Sequence, residues 1–337
     1  MSVYKGAVLA LMLLSACDGN PFVDTPDPTG DTSISTLPGT TNPRAGASIA
    51  RYEEKDGDGN GYVTNSDISY DAQSDTFHVN NLAFDGDNSY TRVGFQFEGT
   101  AKPAGVLGDF GVYEAVSQVI DPVTGDPIPN LQYSALRGVS STGRTQFAIV
   151  RSGSFVDYGF GGFVLARNGA VTLPTTGGAT YSGTYAAIRD FQGRGGIEYV
   201  AGTMTMAIDF EDFDQGAGVV GTIRNRQIFD SAGNNITADF LAGLTDSSGV
   251  TQTALPVLEF YLGPGTMDKN GEMEGNLNSQ VENSTGGLDQ YEDGKYYAIL
   301  AGDNASEVVG IVVVTSDDPR FDGVTARETG GFVLYRQ

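Results

Sequence analysis

The chain has 337 residues, 39% of them hydrophobic, which is enough for one large or two ordinary domains. Its 42 acidic residues face 19 basic ones, and the net charge of −23 excludes nucleic acid as a partner, because such a surface repels phosphate backbones. A single cysteine excludes an internal disulfide, and a single histidine excludes the paired-His metal motifs.

Residues 1–17 read MSVYKGAVLALMLLSAC. Lys5 is a short positive flank, and residues 7–14 form an apolar run too short for a permanent membrane span. Leu14-Ser15-Ala16-Cys17 has the small-residue pattern that lipoprotein signal peptidase cuts. The expectation is a signal peptide over residues 1–16 and a lipidated Cys17 that anchors the chain to a membrane of the bacterial cell envelope. Loss of Lys5 would leave 18 basic residues against 42 acidic, a net charge of −24. Asp18 is the residue type that favours inner-membrane retention in enteric bacteria, and it weighs against the outer membrane without reversing that expectation. Residues 17–50 are rich in Pro, Thr, Gly and Asp without hydrophobic periodicity, and predict a flexible stalk.

From there the pattern becomes all-β: short aromatic and β-branched runs separated by Gly, Asn and Asp turns. Residues 51–175 predict a strand-rich first domain, with strands at 68–70, 76–79, 91–98, 111–120, 131–138, 145–151 and 162–167. Residues 176–337 predict eight antiparallel strands, at 180–189, 199–210, 219–229, 257–262, 271–278, 295–300, 307–315 and 331–336. In the second of these, Met204, Met206, Ile208 and Phe210 alternate with small or polar residues, which puts them on one face. Eight strands suffice to close a sheet around a filled interior. No amphipathic helix of three turns is expected anywhere. An echo, Gly161-Gly162-Phe163-Val164-Leu165-Ala166-Arg167 against Gly330-Gly331-Phe332-Val333-Leu334-Tyr335-Arg336, ends both halves and supports two domains. Strands this short and this charged argue for a soluble barrel over a membrane pore.

One motif carries possible metal chemistry. In Asp56-Gly57-Asp58-Gly59-Asn60-Gly61-Tyr62-Val63-Thr64-Asn65-Ser66-Asp67, Asp56, Asp58, Asn60, the Tyr62 carbonyl, Thr64 and Asp67 occupy calcium-loop positions, with Gly61 at the sharp turn. Asp67 stands where such loops carry Glu, and a strand follows where they have a helix. A structural Ca²⁺ is therefore a possible clip, and no other cofactor is required. Asp85-Gly86-Asp87-Asn88 is a weaker version of the same idea. His78 is expected to be a polar strand residue. Asp209, Glu211, Asp212 and Asp214 form a solvated acidic turn, and Gly193-Arg194-Gly195-Gly196 a hairpin turn. Nothing assembles a catalytic device, so the chain is expected not to be an enzyme.

Several stretches of the second half, in order, resemble the β-barrel domain of the transferrin-binding protein B-like surface lipoproteins. They are Ala179-Thr180-Tyr181-Ser182-Gly183-Thr184-Tyr185, Met206 to Phe210, Val219-Val220-Gly221-Thr222-Ile223, Gly271 to Leu277, Gly294-Lys295-Tyr296-Tyr297-Ala298 and Ala305-Ser306-Glu307-Val308-Val309-Gly310. The resemblance covers roughly the last 160 residues. It implies a strand-rich handle domain followed by a soluble eight-stranded barrel, displayed at the outer membrane and binding a protein or solute ligand through loops. One handle-plus-barrel unit, where the transferrin binders have a duplicated pair, makes transferrin itself a poor guess. The alternative is a periplasm-facing assembly lipoprotein. The longer connections, 121–130, 234–252 and 316–328, are the expected contact segments.

Overall fold

Alternation of apolar and polar residues along the strands dictates two sheets, and both form, with barrel strands longer than expected: 11–15 residues in all but one of the eight. The computed structural model of the chain describes residues 33–56, 59–64, 66–80, 82, 89–115, 122–125, 133–153, 158–211, 218–260 and 266–337. The signal segment, Cys17, Asp18 and the Asp85–Asn88 motif lie outside them. Among the described residues, no helix is long and apolar enough to cross a membrane.

The first sheet contains β1 (Ile49–Tyr52), β2 (Ile68–Asp71), β3 (Thr76–Val79), β4 (Ser89–Arg92), β5 (Val106–Leu107), β6 (Phe110–Ala115), β7 (Tyr133–Val139), β8 (Thr145–Ser152) and β9 (Gly161–Arg167). It is antiparallel and curled, in the order β1-β9-β8-β7-β6-β4-β3-β2, with β5 hairpinned onto β6. The second sheet contains β10 (Gly178–Gln192), β11 (Glu198–Asp209), β12 (Val219–Phe229), β13 (Leu258–Phe260), β14 (Glu272–Glu282), β15 (Leu288–Ala301), β16 (Glu307–Asp317) and β17 (Thr325–Arg336). β17 pairs with β10, which closes an eight-stranded antiparallel barrel. All eight expected strands of the second half are present, and the turn at 193–196 joins β10 to β11.

Met204, Met206, Ile208 and Phe210 point into the barrel with Tyr181, Tyr185, Phe260, Tyr296 and Phe332, so its interior is filled. The curled sheet buries both faces. On β8, Ala148 and Val150 face a core enclosed by the curl, while Phe147 and Ile149 face the barrel. The glycine pair of the C-terminal echo fits this seam. A Cβ on Gly330 would strike the Tyr185 ring inside the barrel, and one on Gly331 would strike Phe147 of the curled sheet.

Two expectations are corrected. Residues 33–50 are not a free stalk. Thr40 bonds the backbone of Ala50, Leu37 is buried in the seam, Ser33 and Thr36 donate to Glu272 and Glu274, and β1 pairs with β9. Packing supplied by a partner segment far along the chain offsets what the local composition lacks. An α-helix also exists, α1 (Thr237–Ser248), within a connection expected to be a loop. It buries only Phe240 and Leu244, one apolar contact per turn, against the end of the barrel core, so its periodicity is faint in the sequence. Gly249 ends it in the left-handed conformation, its N–H donating to the Thr245 carbonyl at 2.9 Å.

Candidate functional site

Strand alternation aims every second residue of β1, β8 and β9 at the barrel, and among these are three buried arginines: Arg51, Arg151 and Arg167. Each has partners at the seam, although the Nε of Arg151 is left without one. Arg51 makes a two-pronged ion pair with Glu272 of β14, at 2.6 and 2.9 Å. Arg167 donates to five backbone carbonyls, among them Asn270 and Leu300 at 2.8 Å and Arg44 at 2.8 Å. Burial lowers its pKa to about 10, so it keeps its charge at neutral pH. Arg151 donates to Glu53 at 2.9 Å and to Asn60 at 3.0 Å, and lies 3.9 Å from Asp190 of β10. Arg327 of β17 donates to Asp190 at 2.9 Å and to the same Asn60 oxygen. Between these pins the seam is apolar, with Phe97 edge-on to Tyr199 and Phe229 at 5.4 and 5.3 Å.

On one side the seam opens into a cleft of about 420 Å³, lined by Thr36, Glu53, Glu54, Asp56, Phe163, Asp293, Lys295, Tyr297, Val313 and others. That size suits a small ligand or a few side chains of a larger one, and clefts between domains are the common place for such sites. Its floor is the outer face of β15 and β16 (Tyr297, Val313) meeting Phe163 of β9, whose ring lies 6.0 Å from that of Tyr297. Burial first, and then the nearby Glu274 carboxylate, push the Tyr297 hydroxyl up to about 12, so it remains a neutral hydrogen-bonding group. The wall is acidic. Glu53 is committed to Arg151, and Asp56 accepts from the Asn60 amide at 2.7 Å. Exposed Glu54 and Asp293 have no ion-pair or hydrogen-bond partner among the described residues. Lys295 is held 3.6 Å from Glu274. The cleft therefore offers two unspent carboxylates above an aromatic floor, a setting for a cation.

The calcium-loop motif lands at this seam in another role. The Asn60 side-chain oxygen, assigned to a metal by the spacing, accepts from two guanidinium groups instead. Asp67 turns back on Thr64, accepting from its N–H at 3.0 Å and its hydroxyl at 2.6 Å. The Tyr62 N–H donates to Gly161 and ties the loop to β9. Asp58 lies outside the described residues. Among the described residues, no group of three or more His, Cys, Asp or Glu side chains is arranged to hold a metal. A cation does not fit where Asn60 stands, because two positive charges already occupy its oxygen.

The other sequence candidates separate. His78 sits in β3 between the Thr76 and Ser89 hydroxyls, at 3.4 and 3.3 Å. Asp209 ends β11 and Glu211 follows it, both exposed, and the Glu211 N–H donates to the Asp209 carboxylate. Asp212 and Asp214 lie outside the described residues. None of the three expected contact segments lines the cleft. Of 121–130 only residues 122–125 are described, 234–252 carries α1, and 316–328 contains Asp318 and Arg320, both locked into the barrel end. The cleft draws instead on residues distant in sequence, joined only by the docking of two sheets. The visible hint was the acidic run at Glu53, Glu54 and Asp56.

No family model matches the chain, and no curated protein sequence matches it. Among solved structures it is similar to transferrin-binding protein B from Haemophilus parasuis Hp5, in a double mutant, with 13% identity and a TM-score of 0.36 over 86% of this chain and 45% of that one. It is also similar to isotype 1 transferrin-binding protein B from serogroup B Neisseria meningitidis, with 13% identity and a TM-score of 0.32 over 86% of this chain and 51% of that one. The chain thus spans about half the length of the structures it is similar to.

Proposed function

We propose that this chain is a non-catalytic binding lipoprotein of the bacterial cell envelope, anchored through Cys17 at the outer membrane or cell surface. Its ligand, a protein or a solute, presents a cationic group to the seam cleft. The observation that carries this function is the pair of unpartnered carboxylates, Glu54 from the first sheet and Asp293 from the barrel, facing one aromatic-floored cleft. Buried arginines pin the two sheets together and hold the walls in place, so little ordering is needed on binding. Transferrin is not proposed as the ligand.

Titration of the detergent-solubilised full chain with spermidine, and separately with a lysine-rich peptide, tests the cleft. The expected result is saturable binding that weakens with salt and falls about tenfold in the double variant E54Q/D293N, the loss of roughly one charge-assisted contact. Binding unchanged in that variant would contradict the assignment. Protease treatment of intact cells tests the location: digestion of the barrel supports surface display, and protection until lysis favours the periplasm-facing alternative.

A further inference from the structure

One open end of the curled sheet gathers charged and aromatic side chains that the seam does not use. Tyr70 is the third residue of β2, Asp75 lies in the β2–β3 turn, Arg92 ends β4, and Tyr113 and Arg137 stand on β6 and β7. Arg92 is fully engaged. It donates to Asp75 at 2.6 and 3.0 Å, to the Tyr113 hydroxyl at 2.7 Å and to the Gly105 carbonyl at 3.1 Å. The Tyr70 and Tyr113 hydroxyls both donate to Asp75 at 2.8 Å.

Arg137 is treated differently. Its guanidinium stacks 3.8 Å from the centroid of the Tyr70 ring. Its Nε is buried without a partner, and among the described residues no carboxylate or carbonyl accepts from any of its nitrogens. Its cross-strand neighbours are Gly111 on β6 and Ala148 on β8, so neither side of its row carries a side chain longer than a methyl. Glycine is required at 111, because a Cβ there would come within 2.7 Å of Arg92 and 2.8 Å of Tyr113. Diagonally across β8, on the same face, Gln146 is only 3% exposed and its amide nitrogen also has no partner. Buried donors left unpaired are costly; Arg151 and Arg226 also leave Nε unpaired but are held through their other nitrogens, whereas Arg137 is not. Two arginines against one aspartate leave this mouth with an excess positive charge in a chain whose net charge is −23.

We infer that the mouth of the curled sheet is an oxyanion-binding site, in which Arg137, held flat by Tyr70, offers its planar fork to a carboxylate or phosphate group and Gln146 adds an N–H. A guanidinium fork matches both groups in geometry, whereas a lysine meets them only as a point charge. The strongly acidic surface around it selects a small anion or a single anionic group over an anionic membrane.

The test follows the arginine Nε–Hε resonances of the ¹⁵N-labelled chain during separate titrations with sodium acetate and inorganic phosphate. The expected result is a saturable shift of Arg137 with at least one of them, while exposed Arg224 drifts linearly. Saturation by acetate alone assigns a carboxylate, and by phosphate alone a phosphoryl group. R137K, which keeps the charge and loses the fork, should bind at least about tenfold more weakly, whereas Y70F, which keeps the stacking ring, should bind within about threefold of the parent chain. A linear Arg137 response matching Arg224, or R137K binding as tightly as the parent, would overturn the inference. The parent-chain titration stands even if a variant misfolds.

Discussion

Each of the two sheets places arginines at one end of its enclosed space, and the two ends differ in how completely those charges are matched. In the barrel, Arg189, Arg226 and Arg320 meet Glu198, Glu292, Glu328 and Asp318, and every guanidinium has at least one carboxylate within 2.9 Å. Tyr185 and Ser279 complete the carboxylates of Glu328 and Glu292, and α1 covers the layer with Phe240 between Arg189 and Arg320, 4.9 and 5.3 Å away. At the mouth of the curled sheet only Arg92 is matched, and Arg137 rests on a ring. Buried charge alone does not distinguish scaffold from site. A charge network that closes on itself stabilises one arrangement, and one that stops a partner short has capacity for a ligand.

The comparison breaks if the barrel end proves tolerant, which makes the largest expected effect the first test. Arg226→Ala would leave Glu292 and Glu328 buried together without their cation, and should lower unfolding stability by about 3–5 kcal/mol in chemical denaturation. Phe240→Ala should cost about 3 kcal/mol by the same measurement, because it empties the contact that seats α1 on the barrel. For the same reason, deletion of 234–252 should destabilise the barrel as well as shorten a loop. At the seam, Asn60→Ala removes the oxygen shared by Arg151 and Arg327 and should cost about 1–3 kcal/mol. Asn60→Asp should recover that loss, with a carboxylate now between the two guanidiniums. The smallest effect belongs to the exposed partner at the mouth. The hydrogen bond from Arg92, ahead of those from Tyr70 and Tyr113, holds the Asp75 carboxyl down to about 2. A depressed carboxylate stabilises the fold above its unfolded value near 3.8 and loses that contribution as pH falls through about 2. With the side chain 41% exposed, solvent screening reduces the effect to about 1 kcal/mol. Asp75→Asn should therefore destabilise by about that much at pH 7, and the difference from the parent should vanish near pH 2.

Much of the fold was legible because strands bounded by Gly and Asn turns leave a period-2 pattern, and all eight barrel strands were countable from it. The terminal echo was legible too, since Gly330 and Gly331 are required by rings that approach from either side of β17. The helix was not, because only Phe240 and Leu244 of its twelve residues are buried, too few to leave a clear stripe. Neither was the order in residues 33–50, whose partners Glu272 and Glu274 lie more than 230 residues away. The Asp56–Asp67 motif shows the limit most plainly: its spacing suits calcium, yet the docking of two sheets gives Asn60 to two arginines. Both the cleft and the arginine mouth are products of tertiary pairing, which no local window contains.

The most direct test of the seam cleft is a crystal structure of the chain grown with spermidine. The predicted result is an ammonium group between Glu54 and Asp293, over the Tyr297 and Phe163 rings. An empty cleft, with spermidine bound to acidic patches elsewhere on the surface, would contradict the proposed binding function.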